Sequence, residues 1–176
     1  MQTMSNSAAP ACAASMRLAG SGPGYQPALC EMLDGTELFS GFPWSEITTL
    51  STCVTAHDAQ PGHVLFREGT PGDALYVLIR GLVETRKSDG THQAAVIATE
   101  SGGRAIGEMA LIDGKPRSAS CVVAEPSTLL ALTRDNFKRL TKQHPALALR
   151  VTMRIARLMS RRLRATSGRL VEYLDA

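Results

Sequence analysis

The residues best suited to chemistry lie together near the middle of the chain: Gly107-Glu108-Met109-Ala110-Leu111, a step from Ile112 to Pro116, then Arg117-Ser118-Ala119-Ser120. An ionised Glu only accepts hydrogen bonds, whereas Arg only donates them, through a planar fork that fits phosphate and carboxylate. Gly107 allows close backbone approach, and the helix formers after it favour a short helix whose first N–H groups lack partners. If Arg117 opens a strand, alternation puts it on one face with Ala119, Cys121 and Val123, which are apolar and point inward.

A guanidinium facing an interior is costly unless an anion meets it. Arg117 therefore suits a phosphate, and Glu108 suits a hydroxyl while repelling the phosphate itself. An anion at one end and a hydroxyl at the other describe a nucleotide. The same spacing admits a second reading, in which Glu108 and Arg117 pair with each other as a buried ion pair and bind nothing. Spacing alone leaves both open.

Other chemistries find less support. His57, His63, His92 and His144 show no metal-ligand spacing, and Cys12, Cys30, Cys53 and Cys121 form neither a CxxC pair nor a disulfide framework. No catalytic residues, metal or cofactor are expected, and the cysteines favour a reducing cytoplasm. No run approaches the roughly 18 apolar residues of a membrane span, and the N-terminus does not read as a signal peptide.

The elements that must position the central residues are legible in outline. Residues 1–24, rich in Ala, Ser, Gly and Pro, read as a disordered tail. Two short helices are expected between Gln26 and about Val54. From Thr55 to Thr133, short β-rich runs at 63–68, 74–80, 82–87, 94–99, 117–124 and 127–133 alternate with Gly and Pro turns, which indicates an all-β sandwich or barrel. The run Gly107–Ile112 interrupts them as a helical turn. The domain proper is expected over 25–133, with C-terminal helices over 134–176, the longer one starting at Pro145 and running to about Thr166.

Charge is polarised along the chain. Residues 1–133 carry a net −5, and residues 134–169 carry +10. On the long helix Arg150, Arg154, Arg157, Arg161 and Arg164 fall within an arc of roughly 80°. That stripe reads either as a solvated face or as a nonspecific contact for nucleic-acid phosphates. Leu147, Ala148, Val151, Ile155, Leu158, Met159 and Leu163 cover more circumference than one small barrel needs. A homodimer packed from about Leu147 to Leu163 is therefore expected.

The central segment resembles the phosphate-binding cassette of the cyclic-nucleotide-binding domain family, whose pattern is Phe-Gly-Glu-x-Ala-Leu, a short step, then Pro-Arg-x-Ala. Gly107, Glu108, Ala110, Leu111, Pro116, Arg117 and Ala119 match in order, and Gly69, Gly72, Asp73, Tyr76 and Gly81 match the family's barrel turns. Ile106 stands where the family usually has Phe. The resemblance covers roughly residues 36–165. It implies a mainly β fold with flanking helices: an eight-stranded jelly-roll barrel, N-terminal helices, a short cassette helix and a long C-terminal helix. It further implies that Glu108 takes a ribose 2′-hydroxyl beside Gly107, that Arg117 clamps a cyclic phosphate, and that Ser118 adds its N–H and hydroxyl. Val96 would touch the base, with Leu158 or Arg161 capping it from the long helix. Ser118 points to cAMP, with cGMP as the alternative. The implied protein is a regulatory module, not an enzyme, signalling to an unknown downstream protein. Only ten residues follow Thr166, so no helix-turn-helix module and no sequence-specific DNA reading are expected. A degenerate barrel that only dimerises is the other class of function.

Overall fold

The computed structural model describes residues 16–88 and 94–174, with side chains as far as Gly168. The chain opens with strand β1 (Met16–Gly20) and a 3-10 turn (Pro23–Tyr25), followed by helices α1 (Gln26–Asp34) and α2 (Trp44–Ser51). Strands β2 (Val54–Ala59), β3 (Val64–Phe66), β4 (Ala74–Arg80), β5 (Leu82–Ser88), β6 (Ala94–Ser101) and β7 (Ala105–Ile106) lead to helix α3 (Glu108–Asp113). Strands β8 (Ser120–Val123) and β9 (Ser127–Thr133) then precede helices α4 (Arg134–Gln143) and α5 (Pro145–Leu174). One sheet runs β1-β2-β9-β4-β7 and the other β3-β8-β5-β6, with antiparallel pairing throughout.

The five-stranded sheet lies between two cores, which explains its sequence. Tyr76, Leu78, Leu129 and Ala131 face the other sheet and pack with Val83, Cys121 and Val123. Leu75, Val77, Leu130 and Leu132 face the helices and pack with Leu29, Leu33, Phe39, Ile47 and Val151. A strand covered on both faces reads as a continuous apolar run, as β4 and β9 do. Strand β5 has one wet face and alternates instead, with Val83 buried between the partly exposed Leu82 and Glu84.

The architecture is mainly β with flanking helices, and the cassette helix falls where expected, over Glu108–Asp113. The two facing sheets are those of a jelly roll, with nine strands among the described residues where eight were expected. Part of the expected tail is also structured. Met16–Gly20 pairs with β2, Met16 opposite Ala59 and Leu18 opposite His57. That pairing is made by backbone hydrogen bonds, which a tally of large apolar side chains does not register. The rest of that tail, residues 1–15 with Cys12, lies outside the described residues, as do 89–93 with the β5–β6 turn and His92. Helix α2 stops at Ser51, so Val54 begins β2, opposite Leu132, rather than ending a helix. Helix α5 continues past Thr166 to Leu174.

Helix α5 buries most of its apolar arc inside its own protomer. Leu147, Ala148, Val151, Ile155 and Leu158 belong to the helix-side core with α1 and α2. The sequence expectation of a wide unsatisfied face counted only the β-domain as a packing partner and left out the N-terminal helices. What stays exposed is a narrower line through Leu149, Met153, Ala156 and Leu163. The basic stripe is mostly tied down as well. Arg150 meets Glu46 at 2.9 Å, Arg161 meets Glu37 at 3.0 Å, and Arg154 donates to the carbonyls of Leu38 and Ser40.

Ile155 is fully buried on this helix. The Ile155→Ala variant should lose about 2–5 kcal/mol of stability in urea unfolding, as expected for a truncated core side chain. A loss below about 1 kcal/mol would mean that α5 does not rest on this core.

Candidate functional site

Arg117 lies in the loop before β8, held by its backbone: its N–H donates to Thr70 O at 2.8 Å, and its carbonyl accepts from Gly69 N at 2.8 Å. Burial alternates as the sequence suggested, with Arg117, Ala119, Cys121 and Val123 inside, although the strand itself begins only at Ser120. The guanidinium donates from Nη1 to Gly107 O at 2.8 Å and from Nη2 to Ala74 O at 2.6 Å. It lies over the Phe66 ring, 4.1 Å from the centroid, and Phe66 in turn stacks on Tyr76. Cation–π contact of this kind holds the plane of the guanidinium.

Two glycines make room for it. Gly107 has φ +74°, and a Cβ there would sit 2.3 Å from Arg117 Nη1. A Cβ on Gly72 would meet Ala110 Cβ at 2.1 Å and Arg117 Nε at 3.3 Å. Arg117 is 4% exposed, and its Nε is buried without a hydrogen-bond partner among the described residues. An unsatisfied buried donor costs about 1–3 kcal/mol. Burial pushes the Arg117 pKa below the usual arginine range, opposed by Tyr76 and Asp73. The group remains a cation nonetheless, because guanidinium does not deprotonate in proteins.

Glu108, the first residue of α3, does not pair with Arg117. Its Oε1 accepts from Arg162 Nη1 at 2.9 Å, and Arg162 Nη2 donates to Ala105 O at 2.8 Å. The buried-pair reading is thus corrected: the carboxylate does have an ionic partner, but it comes from α5. Arg162 was missed because helical periodicity draws attention to the stripe. As the arginine next to Arg161 it points roughly 100° away from that stripe, and this was the available signal. The two expected capping residues lie elsewhere, Leu158 in the core and Arg161 on Glu37.

A cavity of about 340 Å³ joins these groups, lined by Phe66, Thr85, Ile97, Ala98, Glu100, Gly107, Glu108, Ala110, Arg117, Ser118, Ala119, Arg162 and Thr166, among others. Leu111 is absent from the wall; it anchors α3 in the helix-side core. Ser118 is exposed at the rim, where its hydroxyl lies 3.9 Å from Met109 Sδ. Val96 does not face the cavity. Thr85 pairs with Ala98 but Arg86 pairs with Val96, so Ile97 is an extra residue in the ladder. The bulge turns Val96 out and brings Ile97 to the wall.

The cavity wall combines a buried cation, Arg117, whose Nε has no partner among the described residues, with a carboxylate, Glu108, paired to Arg162. Behind this wall, burial pushes the Cys121 thiol up to about 12. Among the described residues, no three His, Cys, Asp or Glu side chains gather to hold a metal. No described helix is long and apolar enough to cross a membrane.

Residues 56–144 match the model of the cyclic nucleotide-binding domain. A solved cyclic nucleotide-binding domain from Methylobacillus flagellatus superposes with a TM-score of 0.78 at 31% identity, covering 90% of this chain and 89% of that one. The CRP-like cAMP-activated global transcriptional regulator of Mycobacterium tuberculosis is 29% identical over 146 residues, which are 82% of this chain and 62% of that protein. The cAMP-dependent protein kinase regulatory subunit of Aspergillus fumigatus is 34% identical over 108 residues, 61% of this chain and 25% of that one. The chain therefore spans about three fifths of the length of the mycobacterial regulator. With the cassette, the two-sheet fold and the family match in agreement, the chain belongs to the cyclic nucleotide-binding domain family.

Proposed function

We propose that this chain is a non-catalytic receptor for a cyclic purine nucleotide, cAMP, and that it passes occupancy of the cavity through its C-terminal helices to a partner protein. The observation that carries the reading is Arg117, a cation that lines the cavity and whose buried Nε has no acceptor among the described residues. A cyclic phosphate supplies that acceptor and neutralises the cation. Gly107, Ala110, Ser118 and Ala119 shape the same end of the cavity, and Leu111 fixes the helix that carries Glu108. At the other end the ribose 2′-hydroxyl would share or replace the Arg162 contact on Glu108, which links ligand entry to α5. The choice of cAMP over cGMP leans on Ser118 and on relatives described as cAMP-activated or cAMP-dependent.

The same reading includes a homodimer, on a corrected surface. Leu149, Met153, Ala156, Ser160 and Leu163 recur at alternating steps of four and three along α5, with Leu149, Met153 and Leu163 exposed. That spacing is the seam of a two-stranded coiled coil. Val151 and Leu158 lie inside the protomer, so charges placed there would test the core and not association.

Arg117→Leu should weaken cAMP binding by roughly 30- to 1,000-fold, the equivalent of about 2–4 kcal/mol for a lost charge-assisted contact. Calorimetry on folded variant checks this, and unchanged affinity would remove the phosphate assignment. Glu108→Ala should weaken cAMP while scarcely changing the affinity of the 2′-deoxy analogue; equal losses would make Glu108 a structural partner of Arg162. For the seam, Leu149→Glu with Leu163→Glu should give folded monomers by sedimentation at micromolar concentration, whereas a wild-type protein that is monomeric with and without cAMP rules the dimer out.

A further inference from the structure

A second cavity, of about 450 Å³, opens on the five-stranded sheet and shares no lining residue with the cassette cavity. Its volume is in the range of small-molecule pockets. A single row of its side chains crosses four strands: Arg17 on β1, Asp58 on β2, Thr128 on β9 and Arg80 on β4. Each stands directly opposite the next, Arg17 with Asp58, Asp58 with Thr128, and Thr128 with Arg80. Cross-strand neighbours of this kind meet on one face, and here they are bonded in sequence. Arg80 Nε donates to Thr128 Oγ1 at 2.8 Å, and Thr128 Oγ1 donates to Asp58 Oδ1 at 2.8 Å. Asp58 Oδ2 lies 3.5 Å from Arg17 Nη2. Asp58 and Thr128 each sit two positions from a core residue on the same face, Ala56 and Leu130. The row therefore begins where apolar packing ends.

What the row leaves unspent points to a ligand. The buried Thr128 hydroxyl fixes Arg80 through Nε, while the terminal nitrogens of Arg80 make no hydrogen bond among the described residues. A planar fork held in this way meets a carboxylate with two parallel bonds. Asp58 keeps acceptor capacity, because each carboxylate oxygen can take more than one bond. Its contact with Arg17 is long, and the Arg17 side chain is 79% exposed, so that pair contributes little. Arg80 Nε and Asp58 Oδ1 flank one hydroxyl, which places a cation and an anion side by side. A simple anion bridging the two arginines would lie over Asp58 and be repelled. A molecule that carries a cation next to its anion meets the whole row. We propose that this cavity binds a zwitterion, a free α-amino acid, whose carboxylate takes the Arg80 fork and whose ammonium takes Asp58. Gln60 and Ser127 line the space beside them, where the ligand's side chain would lie. The site uses no cassette residue, so it stands or falls apart from the cyclic-nucleotide reading.

Amide NMR titration of the full chain with each of the common L-amino acids tests this. At least one should shift the amides of Asp58, Arg80 and Thr128 saturably, with a dissociation constant in the millimolar range or below. Two analogues of that amino acid separate its charges: the deamino acid keeps only the carboxylate, and the amide keeps only the ammonium. Each should bind about tenfold or more weakly than the parent. Arg80→Met and Asp58→Asn should each weaken the parent by about 10- to 100-fold. Arg139→Met, whose guanidinium reaches Thr52 O instead, should bind as wild type does. The absence of a saturable shift at these amides with every amino acid overturns the proposal. So does a single-charge analogue that binds as tightly as its parent, or wild-type affinity in Arg80→Met or Asp58→Asn. If Arg80→Met does not fold, Asp58→Asn, which preserves the shape of the side chain, decides alone.

Discussion

The structure around the cavity depends on keeping one guanidinium out of water. Arg117 is 4% exposed, and a buried cation is tolerated only where its donors are met. The surrounding residues follow from that constraint. Gly107 and Gly72 leave the space, Gly107 O and Ala74 O accept two of its donors, and the Phe66 ring supports its face. The satisfaction is incomplete, because Nε has no acceptor among the described residues. A core built only for stability gains nothing from such a gap, whereas a binding site gains an affinity for anions.

Helix α5 divides its circumference among several tasks. One face completes the helix-side core through Val151 and Ile155. Its arginines are spent largely on the segment from Glu37 to Glu46, which fixes the helix against the N-terminal helices. Arg162, off both faces, reaches the cavity and occupies Glu108. The helix is thus anchored beside the N-terminal helices and joined to the cavity through the Arg162–Glu108 pair. Glu37 strengthens the arrangement by meeting Arg161 and also Arg104, in the turn that leads to the cassette.

How much of this was legible in the chain differs by element. Strands β4 and β9 were readable to the residue, because strands buried on both faces are uninterrupted apolar runs between turns. The cassette was readable because its residue types are dictated locally: a glycine for a positive φ, a short run of helix formers, then an arginine on an inward-facing alternation. Strand β1 was not, since its pairing uses backbone groups that every sequence has. The β6 residue lining the cavity was misplaced by one position, because the bulge at Ile97 shifts the phase of β6 and no local residue announces it.

The sequence by itself determined which residues carry charge into the domain, and where strands and helices alternate. These properties follow from local propensity and period, which neighbouring residues set. Only the tertiary structure decided what each charge meets. Glu108 finds Arg162 across 54 positions of chain, not Arg117 nine residues away. Arg117 finds two backbone carbonyls, and the basic stripe finds the N-terminal helices. The reason is physical: a long charged side chain can meet any partner that folding brings within reach, and spacing along the chain says nothing about which elements pack together.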